Sequence, residues 1–205
     1  MRNATELLLI ERDAIRPVLE SADADSFDLD TVCDRWSVRD VIGHCAAALT
    51  MVAKGESHGF SPAENEVDVV ERRSWPLRDV LSELYAGYEG AAGVIDAAGG
   101  ELDGIGLGEW VHGGDVREPL GAADPYASAG SDLAVGLFVE RSVARRAARV
   151  AVEIDGVTHL FGAGSLAGSL RTDVETFVRL ASGRRPDPDR YQLSGIGPGD
   201  LVLFG

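Results

Sequence analysis

Chemically reactive side chains concentrate in two short segments of the sequence. His44 belongs to the segment that begins at Trp36, and Glu109, His112 and Asp115 recur at three-residue spacing in the other. On an α-helix, residues three apart share a face, so Glu109 and His112 can reach one ion, with Asp115 at the edge of that face. A Glu-x-x-His pair facing a histidine of another helix is a sensible donor set for a divalent metal with open positions. A single helical His or Glu is more often solvated or hydrogen-bonded in a structural role, so spacing alone leaves both interpretations open.

The other histidines and the two cysteines have simpler interpretations. His58 falls in a predicted loop and His159 in a predicted hairpin strand, and both are interpreted as structural. Cys45 neighbours His44 but points about 100° away around the helix, which favours a core position over a ligand. Cys33 and Cys45 form no CxxC pair, so free thiols in a reducing cytoplasm are expected.

Apolar periodicity predicts the helices that carry these residues. Ser37 and Asp40 have the spacing of a capping-box variant at the start of the clearest helix. The fourth helix contains several glycines, each costing about 1 kcal/mol in a helix interior, so they need a reason other than helix propensity. The predicted helices cover 5–22, 38–52, 77–95 and 103–120, and a long loop is predicted over 55–74.

The last third of the sequence has a mixed pattern. A helix over 132–147 precedes two strands, 150–154 and 157–161, joined by an Asp155-Gly156 turn. Arginines at 141–149 form a solvated helix face or line an anion pocket. Thr172 is expected to cap a helix that ends at Gly183, and short strands are expected within 191–204. The predicted fold class is α+β, with a helical domain over 1–125 and a small α+β domain over 126–205.

Composition excludes several classes of protein. The chain has 205 residues, 45% of them apolar, with 19 basic against 34 acidic side chains, a net charge of −15 and a pI near 4.6. Nucleic acids and anionic membrane surfaces are therefore not expected as partners. The apolar run Leu7–Ile10 is too short for a signal peptide or a membrane span. Arginine supplies 18 of the 19 basic residues, which indicates a high-GC genome, such as an actinobacterial one.

Two motifs resemble those of a known family. The segment from Trp36 to His44 has the pattern W-S-x-x-D-x-x-x-H, and the segment from Glu109 to Gly121 reads EWVHGGDVREPLG. Both resemble the metal motifs of the DinB-like, mycothiol-dependent maleylpyruvate isomerase family. The C-terminal part, including Leu180–Arg184, is similar to the sterol-carrier-like domain that follows in those proteins.

The resemblance implies a four-helix bundle that holds a divalent metal, usually zinc. By motif, the ligands are His44, Glu109 and His112, and Asp115 is the partner that orients His112. The family usually places its last two ligands four residues apart, whereas Glu109 and His112 are three apart, and Gly108 occupies the fourth position. Either the three-residue spacing binds metal, or the third ligand has been lost.

The resemblance also implies a reaction. Zinc deprotonates a bound thiol at neutral pH, so the thiolate of mycothiol can add to a small electrophilic substrate. Addition, rotation and expulsion give a cis–trans isomerase, whereas a lasting bond gives an S-transferase. Arg184 is the predicted catalytic arginine that holds a substrate carboxylate or a developing enolate. The alternatives are a non-catalytic small-ligand-binding relative with an impaired metal site, and a regulator that presents its arginine-bearing helix. The assembly is expected to be a monomer or a homodimer.

Overall fold

The computed structural model describes residues 1–56 and 60–204 in two compact units. Their bounds are Met1–Gly130 and Ser131–Gly205. The first unit is helical, and the second combines helices with a β-sheet, which confirms the predicted α+β fold class. Within 1–56 and 60–204, no helix combines the length and the apolar character needed to cross a bilayer.

Five α-helices cover most of the described part of the first unit. The first, second, fourth and fifth pack on one another as a four-helix bundle, and the third packs on the second. Their apolar faces form the core that the periodicity predicted, with Leu8, Leu49, Leu84 and Ile95 almost fully buried. The helices are α1 (Asn3–Ser21), α2 (Val38–Lys54), α3 (Pro62–Arg73), α4 (Leu77–Ala97) and α5 (Asp103–Arg117).

Capping boxes begin α2 and α3. The predicted box of α2 is confirmed, because the Asp40 backbone N–H donates to Ser37 Oγ and the Ser37 backbone N–H donates to the Asp40 carboxylate. The loop predicted over 55–74 is wrong, because Ser61 and Glu64 form a second capping box from which α3 begins. Only Val69 and Arg72 of α3 are buried, so the helix lacks the apolar stripe on which sequence periodicity depends.

Three glycines of α5 allow close packing against α1 and Tyr126. A Cβ at Gly106 would lie 2.3 Å from the Ala4 carbonyl oxygen, and one at Gly114 would lie 2.3 Å from the Tyr126 ring. A Cβ at Gly113 would overlap the Glu11 carboxylate. These glycines lower the helix propensity of α5, but they let its backbone approach α1 and Tyr126 directly. Tyr126 itself belongs to the first unit.

The second unit is built on a four-stranded sheet with the order β2-β1-β3-β4. Strand β1 pairs antiparallel with β2 and parallel with β3, and β3 pairs antiparallel with β4. The predicted Asp155-Gly156 turn is confirmed by positive φ at both residues. The elements are α6 (Ser131–Ala144), β1 (Ala148–Ile154), β2 (Val157–Phe161), β3 (Ala163–Thr172), α7 (Val174–Ala181) and β4 (Gln192–Ser194).

Three details of this unit differ from the prediction. Strand β3 was not predicted, because its glycines, serines and alanines lack the β-branched alternation of a typical strand. Asp173, not Thr172, caps α7 by accepting the Thr176 backbone N–H. Within 191–204, the described strand is limited to β4.

Candidate metal centre in the helical unit

Asp115 is the buried acceptor at the centre of the candidate site. Its side chain is 0% exposed, and its Oδ2 lies 2.8 Å from Nδ1 of His112, one helical turn earlier on α5. The Tyr126 hydroxyl donates to Oδ1, and the Cys33 thiol donates to Oδ2 at 3.1 Å. An ionised carboxylate accepts only, so His112 donates from Nδ1 and keeps Nε2 as the ring's acceptor atom.

Cys33 is held by a tight loop immediately before α2. The Cys33 backbone N–H donates to Thr31 Oγ1, and the Trp36 backbone N–H donates to the Cys33 carbonyl oxygen. The Thr31 hydroxyl also donates to the Trp36 carbonyl oxygen. Because the capping box follows at once, this loop fixes the thiol relative to the helix that carries His44. Its Sγ lies 4.0 Å from His112 Nδ1.

His44 and His112 come together from two different helices. The two ring centroids are 5.0 Å apart and nearly perpendicular, and the Trp36 ring lies 5.1 Å from the His44 ring. His44 is 8% exposed, whereas the His112 side chain is 19% exposed. The site is therefore nearly buried, with access to solvent on the His112 side.

Glu109 is separated from this group. It is 3% exposed and interacts with the Cys45 thiol, which donates to it. Burial raises the pKa of Glu109 to about 8, an effect that the Cys45 thiol opposes and the Glu11 carboxyl reinforces. Within the described residues, its Oε2 has no hydrogen-bond partner. Burial also raises the pKa of the Cys45 thiol, as expected for a core cysteine.

A buried ion pair connects α1 with the end of α5. Arg117 donates to Glu11 Oε1 at 2.6 Å, and the two side chains are 7% and 0% exposed. Burial raises the pKa of Glu11 to about 7 against the opposing effect of Arg117. A guanidinium cannot be deprotonated in a protein, so this pair is suited to a structural role.

Cys33, His112 and Asp115 form what we call the thiol–imidazole cluster. Among residues 1–56 and 60–204, this is the set of three donor residues whose ligand atoms all lie within 4.8 Å of one another. Thiolate sulfur, imidazole nitrogen and carboxylate oxygen are all zinc ligands in proteins, so the residues present fit a divalent metal. His44 lies beside the cluster, whereas Glu109 lies outside it.

The remaining predicted residues lie elsewhere. Arg184 belongs to the second unit, where its guanidinium donates to the Ser182 carbonyl oxygen at 2.6 Å. His159 lies on β2 opposite Val152. His58 lies outside the described residues.

Sequence reasoning missed Cys33 and Tyr126 as members of the site. The position of Cys33, three residues before Trp36 and next to the helix of His44, was a usable signal. Tyr126 gave none, because it follows a proline between two predicted helices.

Comparison with known proteins points to one family. The family model described as mycothiol maleylpyruvate isomerase N-terminal domain matches residues 8–123, which is more than half of the chain. Two crystal structures of the mycothiol-dependent maleylpyruvate isomerase, one of a histidine-to-alanine mutant, share the fold with a TM-score of 0.59 and 15% identity. Each alignment covers 97% of this chain and 95% of the other. No curated protein sequence gives a significant match.

Proposed function

Because the chain belongs to the mycothiol maleylpyruvate isomerase N-terminal domain family, we propose that it is a metal- and thiol-dependent enzyme. Its substrate is a small electrophile, its thiol is mycothiol, and its metal is zinc. The observation that carries this proposal is the approach of His44 and His112 from two helices to a centroid distance of 5.0 Å. The reaction class is cis–trans isomerisation or S-transfer.

The residues of the bundle have distinct roles in this proposal. His44 and His112 hold the metal, and Asp115 orients His112 by accepting from Nδ1, a contact that fixes the ring and its tautomer. A bound divalent metal deprotonates a thiol at neutral pH and so supplies a nucleophile. The hydroxyl of Tyr126 holds the second oxygen of Asp115, so the carboxylate cannot turn away from the histidine.

Metal analysis tests the proposal. Protein purified without an affinity-tag metal is expected to hold about one zinc per chain, lost in His44→Ala and in His112→Ala while the circular dichroism stays helical. His159→Ala is the matched control, because that histidine lies on β2 in the second unit and is expected to leave the metal content unchanged. A native chain that binds no metal after zinc reconstitution would overturn the proposal.

Arg184 remains the arginine proposed to bind a substrate carboxylate. A guanidinium can bind a carboxylate through two parallel N–H donors, and that of Arg184 also donates to the Ser182 carbonyl oxygen. Arg184→Ala is expected to raise KM for a carboxylate-bearing electrophile more than it lowers kcat, and Arg185→Ala is the control. Equal effects of the two variants would remove Arg184 from the mechanism.

A non-catalytic ligand-binding relative is the second candidate. The observation in its favour is the burial of Glu109, the predicted third ligand, beside Cys45 and outside the thiol–imidazole cluster. In that case the purified chain binds a small apolar or thiol-bearing ligand in the absence of metal. Retention of such a ligand after complete chelation, together with no thiol consumption, would favour this candidate.

A further inference from the structure

Cys33 lies beside His112, where its thiolate would be a negatively charged ligand. Its Sγ contacts Asp115 Oδ2 and lies 4.0 Å from His112 Nδ1, whereas Glu109 is turned toward Cys45. We propose that the Cys33 thiolate is a direct ligand of the metal bound at His112, in the position that the sequence motif assigns to Glu109. This inference rests on the proposed function, because it specifies the ligand set of the same site.

The spacing of the donor atoms supports this assignment. The distances in the cluster are 4.0 Å for Cys33 Sγ to His112 Nδ1, 3.1 Å for Sγ to Asp115 Oδ2 and 2.8 Å for Nδ1 to Oδ2. Because Nδ1 donates to Asp115, Nε2 is the atom of the ring that is left to bind the metal, and these distances place the thiol beside that same ring.

The proton balance of metal binding is simple. The Cys33 S–H bond breaks, a bond from sulfur to the metal forms, and the proton is released to the buffer, so no oxidant or reductant is needed. Asp115 loses one donor in this step and keeps the Tyr126 hydroxyl and His112 Nδ1. Asp115 is therefore a positioning residue that holds the thiol and the imidazole toward one another before the metal binds.

A thiolate ligand restricts the kind of metal. Thiolate and imidazole donors favour zinc and other borderline or soft divalent ions over magnesium, calcium or manganese, which prefer oxygen ligands. With Cys33 as a ligand, the site is expected to bind zinc and cobalt(II) and to reject magnesium at equal concentration.

Cobalt(II) substitution tests the proposal through a signal that is independent of activity. The metal-free full-length chain is titrated with cobalt(II) and observed in the near ultraviolet, where thiolate-to-cobalt charge transfer absorbs. The native chain and Cys45→Ala are expected to show this band at one cobalt per chain. Cys33→Ala is expected to lose the band and to bind cobalt at least about 10-fold more weakly. Cys45 is the matched control because it is the other cysteine of the chain.

Alkylation of the native chain provides a second measurement that needs no variant. Cys33 is partly exposed and Cys45 is buried, so iodoacetamide is expected to label Cys33 in the metal-free chain. Zinc is expected to slow this labelling by about 10-fold or more at saturation, since a coordinated thiolate is shielded from the reagent. Peptide mass spectrometry identifies the labelled cysteine.

The outcomes separate this inference from the proposed function. Cobalt bound without a thiolate band, retained in Cys33→Ala and lost in His44→Ala, would overturn the role of Cys33 and leave the proposed metal site intact. Labelling of Cys33 at the same rate with and without zinc would overturn it as well. A native chain that binds no cobalt would overturn both proposals.

Discussion

Two clusters of polar side chains include residues of α5 in the helical unit, and they differ in burial and in the groups that they bring together. The ion pair of Glu11 and Arg117 is almost fully buried and balances one charge against another. The thiol–imidazole cluster of Cys33, His112 and Asp115 brings a thiol and an imidazole to one carboxylate, and its histidine reaches solvent. A buried ion pair stabilises one arrangement of helices, whereas a cluster of side chains that are metal ligands can accept a cation.

Removal of one member of the ion pair is expected to give the largest effect. Glu11→Leu leaves the Arg117 guanidinium buried without its carboxylate, which is expected to reduce the free energy of unfolding by about 3–5 kcal/mol. Urea unfolding followed by circular dichroism measures the loss. The double variant Glu11→Leu, Arg117→Met is the control and is expected to recover most of it. A loss below about 1 kcal/mol would show that the pair is not structural.

The pH dependence of the free energy of unfolding distinguishes the buried acids Glu11 and Glu109 from an exposed acid such as Glu20. The folded-state pKa of Glu109, about 8, lies above its ordinary value of 4.5, so between these values the folded chain holds a proton that the unfolded chain releases. In metal-free protein, the part of the free energy of unfolding that depends on protonated Glu109 is therefore fully present below about pH 4.5 and is lost as the pH rises through 8. The slope is at most about 1.4 kcal/mol per pH unit for one proton.

Two glutamine variants test the assignment of that slope. The glutamine side chain of Glu109→Gln stays neutral, so the free energy of unfolding is expected to fall less steeply with pH. The remaining slope is then due to Glu11, whose pKa is about 7. The same change at the exposed Glu20 is expected to leave the slope unchanged. A slope of the opposite sign in the native chain would mean that Glu109 is ionised in the folded state.

Tyr126→Phe tests the support of the thiol–imidazole cluster. The variant removes the hydroxyl that donates to Asp115 Oδ1, and the loss of a hydrogen bond to a charged group is expected to cost about 1.5–3 kcal/mol. Zinc affinity is expected to fall by about 10-fold to 100-fold, because Asp115 is then held less firmly. The comparison is with Tyr85→Phe on α4. Equal zinc affinity in all three chains would separate Tyr126 from the metal site.

Alanine substitutions at two glycines of α5 are expected to change the stability least, and in opposite directions. Gly114→Ala places a Cβ against the Tyr126 ring and is expected to cost about 1–3 kcal/mol. At Gly108 nothing lies within 4 Å of the added Cβ, so Gly108→Ala is expected to raise stability by about 1 kcal/mol through helix propensity. Thermal unfolding of the two variants decides the signs, and a stabilising Gly114→Ala would contradict the close approach of Tyr126.

Strong local sequence signals were sufficient to predict much of the helical unit. The apolar periodicity of α2 and the capping box of Ser37 and Asp40 placed His44 on its helix correctly. The motif from Glu109 to Gly121 identified the family, which the match over residues 8–123 confirms. Helix α3 was missed because its polar surface carries almost no apolar pattern, and strand β3 was missed because its small residues have weak strand propensity.

The sequence by itself determined which helices carry the two histidines, because capping and apolar periodicity are local properties of the chain. It also supplied the reactive residue types and the family to which they belong. Only the tertiary structure decided which acid and which thiol accompany those histidines. Cys33 and Tyr126 are 82 and 11 residues from Asp115 in sequence, and such contacts depend on helix packing, which no local spacing encodes. The same packing turned Glu109 toward Cys45 and explained the glycines of α5.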